Sequence, residues 1–220
     1  MSNERGESID DMIRSAWAND SPTGWFEPLY ARAKSGEMNV PWASREPHPL
    51  LVDWLQMHDV EGEGLSALVV GCGLGDDAEL LAQIGYDVTA FDVSASAILW
   101  ARERFPQSSV KYQVADLLQA PDAWEGAFDF VLEVYTIQAL PNTLSTRVMG
   151  QISSFVAPGG WLLAICHGRE PHESNKGVPW PLSRNDLAKF ESFGLELLEL
   201  DDFAGHGLRM FRALYRRPAA

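Results

Sequence analysis

Gly71, Gly73 and Gly75 follow the apolar run Leu68-Val69-Val70 and precede Asp76-Asp77 at the start of a helical pattern. A strand turning through such residues, with Cys72 between the first two, lets the backbone approach a ligand closely, because glycine carries no Cβ to hold it off. A tight strand-to-helix turn with no ligand has the same pattern, so the surroundings decide. Seventeen residues after Gly75, Asp92 closes the next strand pattern in Phe91-Asp92-Val93-Ser94. A carboxylate there can accept hydrogen bonds from both hydroxyls of a ribose. Its competing role is to cap the following helix, for which Ser94 is better placed. A nucleoside-containing ligand is implied.

A dinucleotide fingerprint needs its last glycine at position 76 and delivers a pyrophosphate to the helix start. This chain has Asp76 there, followed by Asp77. Two carboxylates satisfy the positive end of the helix dipole themselves and repel a pyrophosphate. A phosphate-free, partly cationic ligand suits the loop better.

Other chemistry-bearing residues have bland alternatives. Glu133 and Tyr135 leave the strand pattern Phe128 to Val134 on the expected ligand side. Tyr135 is the candidate catalytic residue, able to hydrogen-bond a second reactant but a poor base with an ordinary pKa of about 10. Glu133 reads as a binder of a cationic group rather than a base. Trp25, Phe26, Tyr30 and Trp42 can face a cation or cover an apolar reactant, yet eight tryptophans in one chain mostly mean packing. Trp180, between two prolines, can lie over the site or run across the surface. His167 reads as a loop histidine or a base. Asp116 can bind a ligand or cap a turn, and Asp129 opens its strand. Cys72 and Cys166 have no metal or disulfide spacing, and no metal site is expected.

These residues need elements to hold them. Strand patterns fall at Ala67 to Val70, Asp87 to Phe91, Val110 to Val114, Phe128 to Val134, Trp161 to Cys166, Glu196 to Asp202 and Arg209 to Tyr215. Helical patterns lie between them at Asp77 to Ile84, Ala95 to Phe105, Leu144 to Phe155 and Asn185 to Phe193. Ahead of these come short helices at Asp11 to Ala18 and Leu50 to Met57, separated by an aromatic stretch from Ser21 to Pro49 that should pack back on the body. Strand and helix alternation predicts an α/β fold, a Rossmann-like, doubly wound, seven-stranded and mostly parallel sheet with helices on both faces. The 220 residues are expected to form a single domain, with 1–60 a helical cap and 61–220 the core.

With a net charge of −14, nucleic acid and anionic membrane surfaces are disfavoured partners. No apolar run spans a bilayer and the opening lacks a signal pattern, so a cytoplasmic protein is expected.

From about Leu65 to Tyr215 the chain resembles the class I S-adenosylmethionine-dependent methyltransferases. Val70 to Gly75 is similar to the first motif, Asp92 to the ribose-binding acid, and Val114-Ala115-Asp116-Leu117 to the segment that holds the adenine. Phe128 to Glu133 resembles the fourth motif and Ala157-Pro158-Gly159-Gly160 the turn before the fifth strand. Gly71 through Thr89, Pro41-Trp42 with Pro47 to Leu51, and Pro179 to Ser183 are similar to the thiopurine and tellurite-resistance type of small-molecule methyltransferase.

The resemblance implies S-adenosyl-L-methionine as cofactor, S-adenosyl-L-homocysteine as product and no metal. It places Gly71, Cys72, Gly73, Gly75, Asp92, Val93, Asp116, Leu117 and Glu133 around the cofactor, with Trp25 and Trp42 near it on an N-terminal lid. The expected reaction is in-line transfer of a methyl group to a small molecule, by a monomer or homodimer. Alignment of the reactants is worth up to roughly 7 to 11 kcal/mol, so no obligate base is required. The alternatives are an NAD-dependent oxidoreductase and a non-catalytic S-adenosylmethionine-binding protein.

Overall fold

The computed structural model describes residues 7–173, 177–204 and 207–219. The opening residues to Gly6, and His206, lie outside these. Seven strands form one sheet: β1 (Ser66–Val70), β2 (Asp87–Asp92), β3 (Lys111–Val114), β4 (Phe128–Val134), β5 (Val156–His167), β6 (Glu196–Phe203) and β7 (Met210–Arg216). Their order is β3-β2-β1-β4-β5-β7-β6, with β1 to β5 mutually parallel and β7 antiparallel to both neighbours.

Alternation along each strand sends side chains to two cores. Leu68, Val70 and Val131 pack on one face with Val148, Ile152 and Phe155 of helix α7 (Ser145–Phe155). Ala67, Val69 and Leu132 pack on the other, against α3 (Pro49–Met57), α4 (Asp76–Gln83) and α5 (Ala95–Arg104). Burial on both faces explains why the central strands read as continuous apolar runs. The chain runs outward in opposite directions from β1 and β4, which opens a crevice at their carboxyl ends.

Two helices lead this body: α1 (Ile9–Ala18) and α2 (Phe26–Lys34). They share a third cluster in which Met12, Trp25, Leu29 and Tyr30 bury against Leu74 and Ala97, so the aromatic stretch does pack back. A one-turn helix, α6 (Thr136–Ala139), follows β4. The helix expected at Asn185 to Phe193 is one α-turn, α8 (Arg184–Leu187), continued as a 3-10 helix from Ala188 to Phe193. The tighter winding stacks residues three apart, which turns Leu187 and Phe190 together into the core. Strand β5 begins earlier than expected, because Val156 already pairs with Phe128 before a register shift around the Pro158-Gly159-Gly160 turn.

Candidate active site

The glycine loop leaves β1 in left-handed backbone, with φ +53° at Gly73 and +90° at Gly75. A Cβ at Gly73 would stand 2.9 Å from the Tyr30 hydroxyl, and one at Gly75 would collide with that of Tyr112. Three of its amides are committed within the protein: Cys72 to the Phe91 carbonyl (2.8 Å), Gly73 to Asp92 Oδ2 (3.0 Å) and Gly75 to the Cys72 carbonyl (3.0 Å). Asp92 Oδ1 accepts the Ser94 N–H at 2.9 Å, and Ser94 caps α5. Asp92 is 5% exposed; burial pushes its carboxyl up to about 6 against the pull of those amides. Each of its oxygens keeps a lone pair for a further donor.

The two carboxylates after the loop behave differently from the sequence expectation. Asp76 forms a two-armed ion pair with Arg104, both contacts 2.6 Å. Asp77 is half-buried, accepts the His48 backbone N–H at 2.7 Å and is pushed up to about 6 by desolvation. Neither stands as a free negative charge at the helix start. A diphosphate would find three of the loop amides, those of Cys72, Gly73 and Gly75, already committed, and the cation beside the loop, Arg104, paired.

Val93 is half-buried beside Asp92. Asp116 caps a 3-10 turn through the Leu118 N–H at 2.9 Å, so it takes the capping role at least. Leu117 turns its side chain into the core, leaving only its backbone for a ligand. Trp25 is 1% exposed with its indole N–H unpartnered among the described residues. Trp42, 37% exposed, sets its ring edge-on to Trp25 at 5.8 Å and donates to the Tyr30 hydroxyl at 3.0 Å. Trp180 donates its backbone N–H to the Gln138 carbonyl and stacks on Trp17. Asp129 fastens β1 to β4 through the Ser66 N–H and hydroxyl.

At the end of β4, Glu133 is fully buried. One oxygen accepts the Ile137 N–H at 3.0 Å and the other has no partner among the described residues; desolvation raises the carboxyl to about 7. An orphaned acidic oxygen fits the cationic end of an amino-acid-bearing ligand. Tyr135 takes φ +64°, a strained conformation for a bulky side chain. Its hydroxyl lies 2.7 Å from His48 Nε2, and its ring stacks on His167 at 4.8 Å. Burial raises Tyr135 to about 12, and burial with the neighbouring His167 lowers His48 to about 4.

Gly71 to Leu74, Tyr30, Trp42, His48 and Tyr135 line a shared cavity of about 90 Å³. That is small beside the roughly 300 Å³ at which ligand pockets begin, so the N-terminal cover sits closed on the crevice. Sequence reasoning missed His48 and Asp77 as site residues. Pro49 at the first helical position marked a helix start, but nothing local pointed to Tyr135, 87 residues away. Among the described residues no cluster of His, Cys, Asp or Glu is arranged to hold a metal ion, and no helix is long and apolar enough to cross a membrane.

Residues 67–160 match the model of a methyltransferase domain family. The chain is 30% identical over 126 residues to a ubiquinone biosynthesis O-methyltransferase of Bordetella avium, an alignment covering 56% of this chain and 52% of that protein. It therefore spans about half the length of the curated relatives it matches. Its fold is similar to an N-methyltransferase from Bradyrhizobium japonicum solved with S-adenosylhomocysteine, at TM-score 0.66, 19% identity, and coverage of 87% and 99%. A didemethyltoxoflavin N1-methyltransferase of Burkholderia thailandensis gives TM-score 0.67 at 14% identity, covering 99% and 93%. With the sheet order, the glycine loop and the acid ending β2, residues 67–160 are thus similar to a methyltransferase domain, on a fold shared with S-adenosylmethionine-dependent methyltransferases.

Proposed function

We propose that this protein binds S-adenosylmethionine across the glycine loop and transfers its methyl group to a small molecule, releasing S-adenosylhomocysteine. The observation that carries the reading is the loop itself: its committed amides and the buried Asp92 beside it suit a ribose and a cation, and leave little for a diphosphate. Asp92 would accept from the ribose hydroxyls, with Val93 alongside; Asp116 and the Leu117 backbone would flank the base; Glu133 would face the amino group. When bound, the cofactor supplies an electrophilic methyl on a cationic sulfur. The protein's own part is to align and desolvate, with Tyr135 against the acceptor and Trp25 and Trp42 closing over the site.

Residues 1–60 act in this reading as a cap on the core at 61–220 within one domain. The protein would work in the cytoplasm as a monomer or homodimer, with no nucleic-acid or membrane partner. Calorimetric titration with S-adenosylhomocysteine and with NAD tests the cofactor, and tight NAD binding without a response to the other ligand would refute it. Asp92→Asn should weaken S-adenosylhomocysteine by roughly tenfold, through one charged hydrogen-bond acceptor. Mass spectrometry of methylated products over phenols, thiols, amines and carboxylic acids identifies the acceptor.

A further inference from the structure

His48 sits in the N-terminal segment with both ring nitrogens and its backbone engaged. Nδ1 accepts the Leu50 N–H at 3.2 Å as the cap of α3. The backbone N–H donates to Asp77 Oδ1 at 2.7 Å. Nε2 lies 2.7 Å from the Tyr135 hydroxyl. These three contacts settle which way the last bond runs. A nitrogen that accepts an N–H bears no proton, so the neutral ring carries its hydrogen on Nε2. A doubly protonated ring would turn Nδ1–H against the Leu50 N–H, so the cap itself selects the neutral form.

Nε2–H therefore donates to Tyr135, whose own hydroxyl hydrogen is left to point elsewhere. Met210 Sδ, at 3.9 Å, is the other partner recorded for it, and a thioether is a weak acceptor. The ring cannot swing to find a better one: His48 stands edge-on to it at 5.3 Å and His167 stacks at 4.8 Å. Tyr135 lines the cavity under the glycine loop, so a donor of fixed position faces the space where a second reactant would lie.

We propose that His48 is a positioning residue, locked by α3 as its Nε2–H tautomer, which makes Tyr135 a hydrogen-bond donor to the methyl acceptor. The acceptor then meets Tyr135 through a lone-pair atom, a phenolic, enolic or carboxylate oxygen, and not through an ammonium group. Because His48 belongs to the N-terminal segment, this donor is complete only when that segment is seated. The inference rests on the methyl-transfer reading for the nature of the ligand, but not for the hydrogen bond.

Magnetic resonance of isotopically labelled histidine nitrogens in the full chain reads the tautomer directly, with the His48 signals assigned by their loss in His48→Gln. A neutral ring protonated on Nε2 at neutral pH is expected; a proton on Nδ1, or a charged ring, overturns the proposal. Two variants then separate positioning from capping. His48→Asn keeps a good helix cap but falls short of Tyr135, whereas His48→Gln can place an amide N–H where Nε2 stood but caps poorly.

The probe is para-nitrophenolate, whose colour reports its ionised form, titrated in the presence of S-adenosylhomocysteine and compared with benzylammonium. Positioning predicts binding to wild type and His48→Gln, and about fivefold weaker binding to His48→Asn and Tyr135→Phe. A capping role alone predicts the reverse order for the two His48 variants. That reversal, equal affinity across all variants, preference for benzylammonium, or uptake of neither probe would each overturn the proposal. Failure of wild type to bind S-adenosylhomocysteine unseats the methyl-transfer reading instead, and the tautomer measurement still stands.

Discussion

Glu133 holds a carboxyl inside the sheet with one oxygen on the Ile137 N–H and the other unpartnered among the described residues. Desolvation, the leading cause, raises it from 4.5 to about 7. In the unfolded chain it loses its proton near 4.5, so between that pH and about 7 the folded protein binds more protons. Stability from this group is present below the lower value, is lost as pH rises through the upper one, and stays lost above. The window corresponds to roughly 3 kcal/mol. Glu133→Gln keeps the acceptor for Ile137 and removes the ionisation. Its thermal midpoint should exceed that of wild type at about pH 8, and the gap should close at about pH 5. The same substitution should weaken S-adenosylhomocysteine by roughly tenfold. A midpoint difference independent of pH in melting scans would mean that Glu133 is not held protonated.

At the scale of elements, α2 is fastened to the start of α5 by one carboxylate. Glu27 accepts from the Ser94 hydroxyl (2.6 Å), the Ser96 hydroxyl (2.6 Å) and the Ser96 N–H (3.0 Å), two residues past the ribose-binding candidate Asp92. A negative side chain also suits a helix N-terminus. Glu27→Ala should leave the sheet intact but speed hydrogen exchange in α2 by about tenfold, with β1 and β4 unchanged. Equal exchange in both proteins would show that α2 is held by its apolar face alone. This contact and the His48 bonds illustrate what was illegible in the sequence.

The seven strands, the glycine turn, Asp92 and the Ser94 cap were legible because each rests on periodicity or on neighbours a few residues away. Asp76 reads as a ligand-facing charge until its partner Arg104, 28 residues on, comes into view. Likewise, α2 hid in a proline-punctuated aromatic stretch whose burial against Leu74 and Ala97 is tertiary. The place of Tyr135 after β4 was legible, whereas its contact with His48, 87 residues away in the chain, was not.

For the molecule as a whole, the carboxyl ends of the parallel strands gather three acids that desolvation pushes above the ordinary carboxylate range. Asp77 and Asp92 are pushed to about 6 and Glu133 to about 7, in a chain of net charge −14. The nearby guanidinium of Arg104 is bound to Asp76. A cationic ligand entering this region favours the ionised carboxylates and lowers their pKa values. Between about pH 6 and 7 the bound protein then carries fewer protons than the free one, so binding releases protons and affinity rises with pH until it levels off at about pH 8. S-adenosylmethionine, with its sulfonium, should release more than S-adenosylhomocysteine, which keeps only the ammonium. Calorimetry at about pH 6.5 in buffers of different ionisation enthalpy measures this release. Heats independent of the buffer for both ligands would show that these acids face no bound cation, and would shift the cofactor's charged end away from β4.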